Sequence, residues 1–276
     1  LSAFAALQRV VPQHALSRLS GTLANSSLLS RPLIRLFSAI YSVNLAEAER
    51  RSLDEYATFN DFFTRSLAAS ARPLAAEPAM LAPADGTVSQ IGPITAGQLL
   101  QAKGLRYDLD ALLCDPLAAR TFDGGWFATI YLAPSDYHRV HAPLSGTLVQ
   151  SVAVPGQLFS VNARTEANID RLFCRNERLV MRFETTHGPY ALAMIGAMLV
   201  ASIETVFDAP RSPYREQRTS RHDRAFARGD EIGRFLLGST VIVVTPRDTV
   251  IPSANLAVGS RVRFGEALAA VTPARD

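Results

Sequence analysis

Apolar residues recur at three- to four-residue steps over the first 66 positions, and in short strand-length runs after that. Leu1, Phe4, Leu7 and Val11 share one helical face, with Arg9 off it. After a polar gap at Asn25-Ser26-Ser27 the pattern resumes, and Leu29, Leu33, Phe37 and Ile40 form a second stripe with Arg31 and Arg35 beside it. This spacing predicts two amphipathic helices, and arginine flanks suit such helices to a membrane interface as well as to a protein core. A small-residue, proline-bearing linker, 68–83, ends the region. Beyond it the chain reads as strands at Trp126–Leu132, 147–159, 179–183, 190–206 and 241–244, with one short helical stretch at Leu109–Leu113. The predicted class is α+β: N-terminal amphipathic helices followed by a mostly β core, sandwich- or barrel-like. The predicted division is 1–66, helical and membrane-associating, and 67–276, catalytic and β-rich.

The β region contains an internal echo. Ala82-Pro83-Ala84-Asp85-Gly86-Thr87-Val88 resembles Ala142-Pro143-Leu144-Ser145-Gly146-Thr147-Leu148. Gln90 and Gln150 follow, then Gly97–Leu99 and Gly156–Leu158, with one single-residue shift. A looser third copy runs from Ala257-Val258-Gly259 to Gly265–Leu268. The core is therefore expected to be built from repeated β-units that turn on glycine. Between 208 and 230 the pattern fails: six arginines from Arg211 to Arg228 face only Glu216 and Asp223. A solvated loop is expected there, with a basic lip towards anionic lipid as the alternative.

Composition narrows the function. A chain of 276 residues that is 48% hydrophobic can bury one large or two modest cores. Its net charge is +3, and Lys103 is the only lysine, so the positive charge is nearly all arginine. Arginine forks suit phosphate and carboxylate. No basic block carries interleaved aromatics, which argues against nucleic acid. Cys114 and Cys174 supply neither a disulfide framework nor zinc spacing and are expected to be reduced thiols. The longest apolar stretch, Ala191 to Ile203, is shorter than the ~20 residues that span a bilayer. The start of the chain lacks a signal-peptide pattern.

Candidate chemistry gathers at Leu237-Gly238-Ser239-Thr240, between an apolar run and the β-branched run Val241–Val244. Gly238 has no Cβ to shield its carbonyl, and Ser239 brings a hydroxyl beside it. His138 and His141 lie three residues apart next to Asp136 and Tyr137; no third ligand at familiar spacing points to a metal. Asp85 precedes Gly86 in the first repeat. If the repeats face each other, Asp85 and the His141 region hold comparable places. Asp85 could then orient His141 as a base for Ser239. A serine hydrolase acting on an external substrate with these three residues is one reading. However, the G-x-S-x-G elbow of α/β hydrolases is missing, and the nearest carbonyl is that of Gly238.

The combination Pro83–Thr87, Tyr137-His138-Arg139-Val140-His141 and Leu237–Thr240 resembles bacterial, pyruvoyl-dependent phosphatidylserine decarboxylases. Phe59–Arg65, Gly156–Asn162, Asn176-Glu177-Arg178 and Ile195–Met198 extend the resemblance along most of the chain. It implies autocatalytic serinolysis at Gly238-Ser239, yielding a larger chain, 1–238, and a smaller one, 239–276. Residue 239 would become an N-terminal pyruvoyl group, the only cofactor implied. Asp85 and His141 would serve the cut, and His138 the later decarboxylation of phosphatidylserine to phosphatidylethanolamine and CO2 through a Schiff base. The resemblance further implies a peripheral protein at the cytoplasmic face of the cell membrane, with a homodimer as a family expectation. Two rival readings need a lysine. Pyridoxal-phosphate chemistry has only Lys103 to use, and a lipoyl- or biotinyl-like module has no lysine in a turn between the repeats.

Overall fold

The computed structural model describes residues 23–197, 203–210, 212–236 and 239–273. The first predicted helix, Leu237, Gly238, Met198 and Arg211 lie outside the described residues.

The main body is an open eight-stranded antiparallel sheet in the order β11-β7-β8-β9-β13-β5-β2-β15. Its strands are β2 (Gly86–Pro93), β5 (Trp126–Leu132), β7 (Gly146–Val154), β8 (Arg178–Glu184), β9 (Tyr190–Ile195), β11 (Arg218–Phe226), β13 (Ser239–Thr245) and β15 (Arg261–Val262). At its centre β13 pairs with both β5 and β9, Ser239 facing Leu132 and Thr245 facing Trp126. Every residue of β13 is buried, which explains its continuous β-branched run: both faces of the sheet are covered. Val241, Val243, Ile130 and Leu132 face one core; Ile242, Val244 and Phe127 face the other. That second core is closed by the short helices α3 (Leu109–Leu113), α4 (Pro116–Phe122) and α6 (Leu172–Arg175), the one-turn helix α5 (Ala163–Glu166) preceding α6 in the chain.

Two three-stranded sheets stand beside the first core. One orders β1 (Ala79–Leu81), β16 (Ala267–Val271) and β14 (Val250–Pro252); the other orders β10 (Ile203–Thr205), β12 (Glu231–Phe235) and β6 (Arg139–His141). A two-stranded ribbon, β3 (Gln98–Leu100) with β4 (Arg106–Asp108), completes the β content. The class is α+β, and the sheets do not close into a barrel.

The sequence echo is a structural duplication. Leu81 N–H donates to Pro143 O at 3.0 Å, and His141 N–H returns the bond to Pro83 O at 2.8 Å. Ala82 bonds Gly265 and Glu266 through its backbone as Ala142 bonds Gly229 and Asp230. The Asp85 carboxylate accepts the Phe264 N–H at 2.8 Å, and the Ser145 hydroxyl accepts the Arg228 N–H at 3.0 Å. Both units break register at the same place, between Val88 and Gln90 and between Leu148 and Gln150. Both begin on a glycine pressed against a neighbouring strand: a Cβ would lie 2.5 Å from Tyr131 O at Gly86 and 2.6 Å from Glu184 O at Gly146. The duplication therefore matches Asp85 with Ser145 and His141 with Leu81. Asp85 and His141 do not occupy comparable places, as the sequence had suggested.

Two further expectations change. The arginine-rich stretch is a loop only in part: Arg218–Phe226 is edge strand β11, paired with β7, and the described residues 212–217 before it form no helix or strand. Its charged residues hide the strand pattern, and such charges are what an unpaired edge tolerates. In α1 (Ser27–Tyr41), Ile34 is fully buried and Phe37 packs on Phe59, Phe62 and Phe63, three aromatic residues of α2 (Phe59–Phe63). The predicted stripe thus divides. Phe37 turns inward, whereas Ile40, with Leu36 and Tyr41, stays exposed. Arg35, one of the two expected flanking arginines, is paired with Asp54 at 3.2 Å.

Candidate active site

The site is assembled where β5 turns into β6. The turn closes on Asp136, whose carboxylate accepts Ala133 N–H at 2.7 Å and pairs with Arg261 at 2.6 Å. Tyr137 and His138 leave this turn, and His141 ends β6. Three residues apart on an extended segment, the two histidines enter different surroundings.

His138 is fully buried, its ring centroid 4.0 Å from that of Phe63. Its Nδ1 lies 2.8 Å from Asp136 O. A carbonyl only accepts, so Nδ1 carries the proton and Nε2 is left with a bare lone pair. Among the described residues Nε2 has no hydrogen-bond partner. Burial, helped by the Arg65 charge, lowers its pKa to about 3, so it stays neutral over the ordinary working range.

His141 lies face to face with Phe264, ring centroids 3.7 Å apart and planes 15° from parallel. By the same argument its Nδ1–H donates to Gly229 O at 2.8 Å. Its Nε2 then accepts from the Tyr137 hydroxyl at 2.9 Å. Burial lowers its pKa to about 4.

Asp85 accepts no hydrogen bond from His141, since both ring nitrogens are already engaged. Its carboxylate bonds Arg72 at 2.7 Å, and Arg72 also pairs with Glu47 at 2.9 Å. Asp85 reaches the histidine indirectly, through the backbone of Phe264, whose ring covers it.

Ser239 opens β13 opposite Leu132, so its side chain shares the face of Leu132 and the first core. Four residues earlier, Phe235 N–H donates to His138 O at 3.0 Å. Phe235 and Ser239 are thereby each tied to the segment from Leu132 to His138. The Ser239 hydroxyl is wholly buried and, among the described residues, has no hydrogen-bond partner. Leaving such a group unpaired costs about 1–3 kcal/mol. A buried hydroxyl at a strand start, without a hydrogen-bond partner among the described residues, is the kind of group that a positioned base can turn into a nucleophile.

Sequence reasoning missed several groups. Tyr137 and Asp136 stood inside the histidine motif, and Arg65 inside the 59–65 stretch, without assigned roles. Gly229 and Phe264 carried no chemical signal; their positions follow from the duplication.

A family model described as phosphatidylserine decarboxylase matches residues 59–270, and one described as PSD matches residues 3–42. A phosphatidylserine decarboxylase proenzyme of Psychrobacter arcticus is 48% identical over 273 residues, 98% of this chain and 99% of its own. Proenzymes of the same name from Pseudomonas fluorescens and Pseudomonas aeruginosa are each 49% identical, covering 95% and 96% of this chain and 94% and 96% of theirs. Identity near one half along almost the whole length, with a family model matched over residues 59–270, makes this chain a member of the phosphatidylserine decarboxylase family.

Proposed function

We propose that this chain is a self-processing phosphatidylserine decarboxylase whose cofactor is made from Ser239. The observation that carries the proposal is the buried Ser239 hydroxyl, without a hydrogen-bond partner among the described residues, four residues after Phe235, whose N–H bonds the carbonyl of His138. The word proenzyme in the names of the relatives supports a cut.

In the cut, the Ser239 oxygen gives up its proton and adds to the Gly238 carbonyl carbon. The Gly238–Ser239 C–N bond breaks, and the peptide becomes an ester. Loss of the residue 239 Cα proton then breaks its Cβ–O bond and releases the Gly238 carboxylate. The unsaturated terminus left behind takes up water and loses ammonia, giving the pyruvoyl group. Residue 239 fits that product: it begins a strand and is wholly buried, and its side-chain oxygen has no hydrogen-bond partner among the described residues. The pyruvoyl carbonyl supplies an electrophile for the substrate amine and a sink for the electron pair left by CO2.

The remaining work belongs to the protein's own side chains. We assign His141 as the base for the cut. Its Nε2 is capped by Tyr137 O–H, so the cap must swing away before the base can act. Asp85 positions His141 through Phe264. His138 serves decarboxylation, since an imidazole that stays neutral and holds a bare Nε2 can take and return a proton at the substrate carbon. The bare Nε2 of His138 also favours a second reading, in which the two histidines exchange roles.

Attachment to the membrane is peripheral, at the cytoplasmic face. The outer face of α1 supports it: Leu36 and Ile40 are 59% and 63% exposed. Burying both in lipid at ~2 kcal/mol each would yield roughly 4 kcal/mol before ordering costs. Among the described residues no helix is long and apolar enough to cross a membrane.

The test is the intact mass of the purified chain. Two fragments divided at 238/239 are expected, the smaller with a blocked amino terminus, together with CO2 release from phosphatidylserine. Ser239→Ala is expected to stay whole and inactive. A whole chain that still decarboxylates would sink the proposal. His141→Asn is expected to block the cut while His138→Asn is cut and then inactive; the opposite pattern establishes the exchanged roles.

A further inference from the structure

Arg65 is a buried cation that, among the described residues, no carboxylate neutralises by direct contact. It is 4% exposed. Its Nη2 donates to the carbonyls of Ser135 and Asp136, at 3.0 and 3.3 Å. Asp136 O is also the acceptor that orients His138. The carboxylates nearby are committed elsewhere, Asp136 to Arg261 and Asp85 to Arg72. The guanidinium lies over the Phe62 ring, 5.7 Å from its centroid. Among the described residues Nη1 has no hydrogen-bond partner. Arg139, close by, has the opposite arrangement: it pairs with Glu231 and bonds Thr64 O and Ser66 Oγ. A guanidinium buried without an ion-pair partner is costly, and an anion bound beside it would offset that cost.

We propose that Arg65 Nη1 receives the phosphodiester of the phospholipid substrate, fixing the head group against His138 and residue 239. The inference rests on the decarboxylase reading above. A serine head group brings two anions, and the chemistry separates them. The carboxylate leaves as CO2. A cation holding it would stabilise the ground state more than the transition state and slow the step. The phosphodiester keeps its charge throughout, so a cation there positions the substrate without that penalty. Arg65 suits the task because Nη2 is already anchored on two carbonyls, which leaves Nη1 with a fixed direction.

The test uses the full-length, self-cut chain in detergent. Short-chain phosphatidylserine is the substrate, and short-chain phosphatidylethanolamine, which keeps the phosphodiester and lacks the carboxylate, is both competitive inhibitor and calorimetric ligand. Arg65→Gln is expected to be cut normally. Its KM for phosphatidylserine should rise about 10–100-fold, as for loss of a charged hydrogen bond, with a much smaller change in kcat. Affinity for phosphatidylethanolamine should fall by the same factor. Weakened phosphatidylserine binding with phosphatidylethanolamine binding unchanged would overturn the proposal in favour of the carboxylate. A fall in kcat at constant KM would overturn it in favour of a role in the chemical step. If Arg65→Gln is not cut, Arg65→Lys carries the test. It keeps the charge but cannot span both carbonyls and a ligand, so it should be cut and bind both lipids several-fold more weakly. An uncut Arg65→Lys chain, or one that binds both lipids like the parent, overturns the proposal. A parent chain that is cut yet releases no CO2 defeats the decarboxylase reading instead, which separates the two failures.

Discussion

Acid should loosen this fold through its two site histidines, and the size of the effect follows from their burial. His138 and His141 have ordinary values near 6.5, lowered in the fold to about 3 and about 4. Between 6.5 and those values the unfolded chain binds a proton at each ring and the folded chain does not. Stability is therefore fully present above 6.5 and is lost as pH falls. At 1.36 kcal/mol per pH unit, going from pH 7 to pH 5 costs about 2 kcal/mol per histidine, roughly 4 in all. Glu166 acts in the opposite sense. Burial raises it to about 7 from 4.5, so over the same window the folded state holds a proton that the unfolded state has released. Stability from Glu166 grows by about 2 kcal/mol as pH falls from 7 to 5, and the net loss should be about 2 kcal/mol. The assay is denaturant unfolding at pH 7 and pH 5 on the Ser239→Ala chain, which remains a single species. In that background His138→Asn, whose amide can keep the bond to Asp136 O, should bring the net loss close to zero. Glu166→Gln should double it, to about 4 kcal/mol. If His138→Asn leaves the difference between pH 7 and pH 5 unchanged, His138 is not a dry, neutral imidazole, and the role given to it in catalysis fails with that result.

Three further outcomes are expected. Tyr137→Phe keeps the ring beside His141 and removes the hydroxyl that caps its Nε2, so self-cutting should quicken about fivefold, as for loss of one ordinary hydrogen bond; a time course in which the cut slows would show that the hydroxyl relays the proton instead. Gly146→Ala sets a Cβ 2.6 Å from Glu184 O, a backbone atom that cannot swing aside, and should cost about 1–3 kcal/mol by thermal unfolding. Replacing both Leu36 and Ile40 by Ser should weaken sedimentation with phospholipid vesicles at least tenfold, from the ~4 kcal/mol of apolar burial they offer, while leaving the self-cut intact; unchanged sedimentation would assign membrane contact to another surface.

Much of this protein was legible from residue order alone. Runs such as Trp126–Leu132 and Leu109–Leu113 appear as the elements their patterns predict, because each is buried against the sheet in a way that local periodicity records. The echo between 82–88 and 142–148 was visible because both copies meet the same steric demand, a glycine against a neighbouring carbonyl. The family was visible because the short motifs around Asp85, His138, His141 and Ser239 resemble those of its members. Tertiary structure decided which atoms meet. Each repeat bonds a distant partner segment, Phe264-Gly265-Glu266 for the first and Arg228-Gly229-Asp230 for the second. That pairing gives His141 the carbonyl of Gly229 and the ring of Phe264 in place of a direct bond to Asp85. Arg65 looked like one more arginine in a basic chain; only the folded site shows it buried and, among the described residues, hydrogen-bonded to carbonyls alone. Local patterns record which face of an element is dry. Proton position and ion pairing depend on groups far apart in the chain, and these are settled only when the sheets close over them.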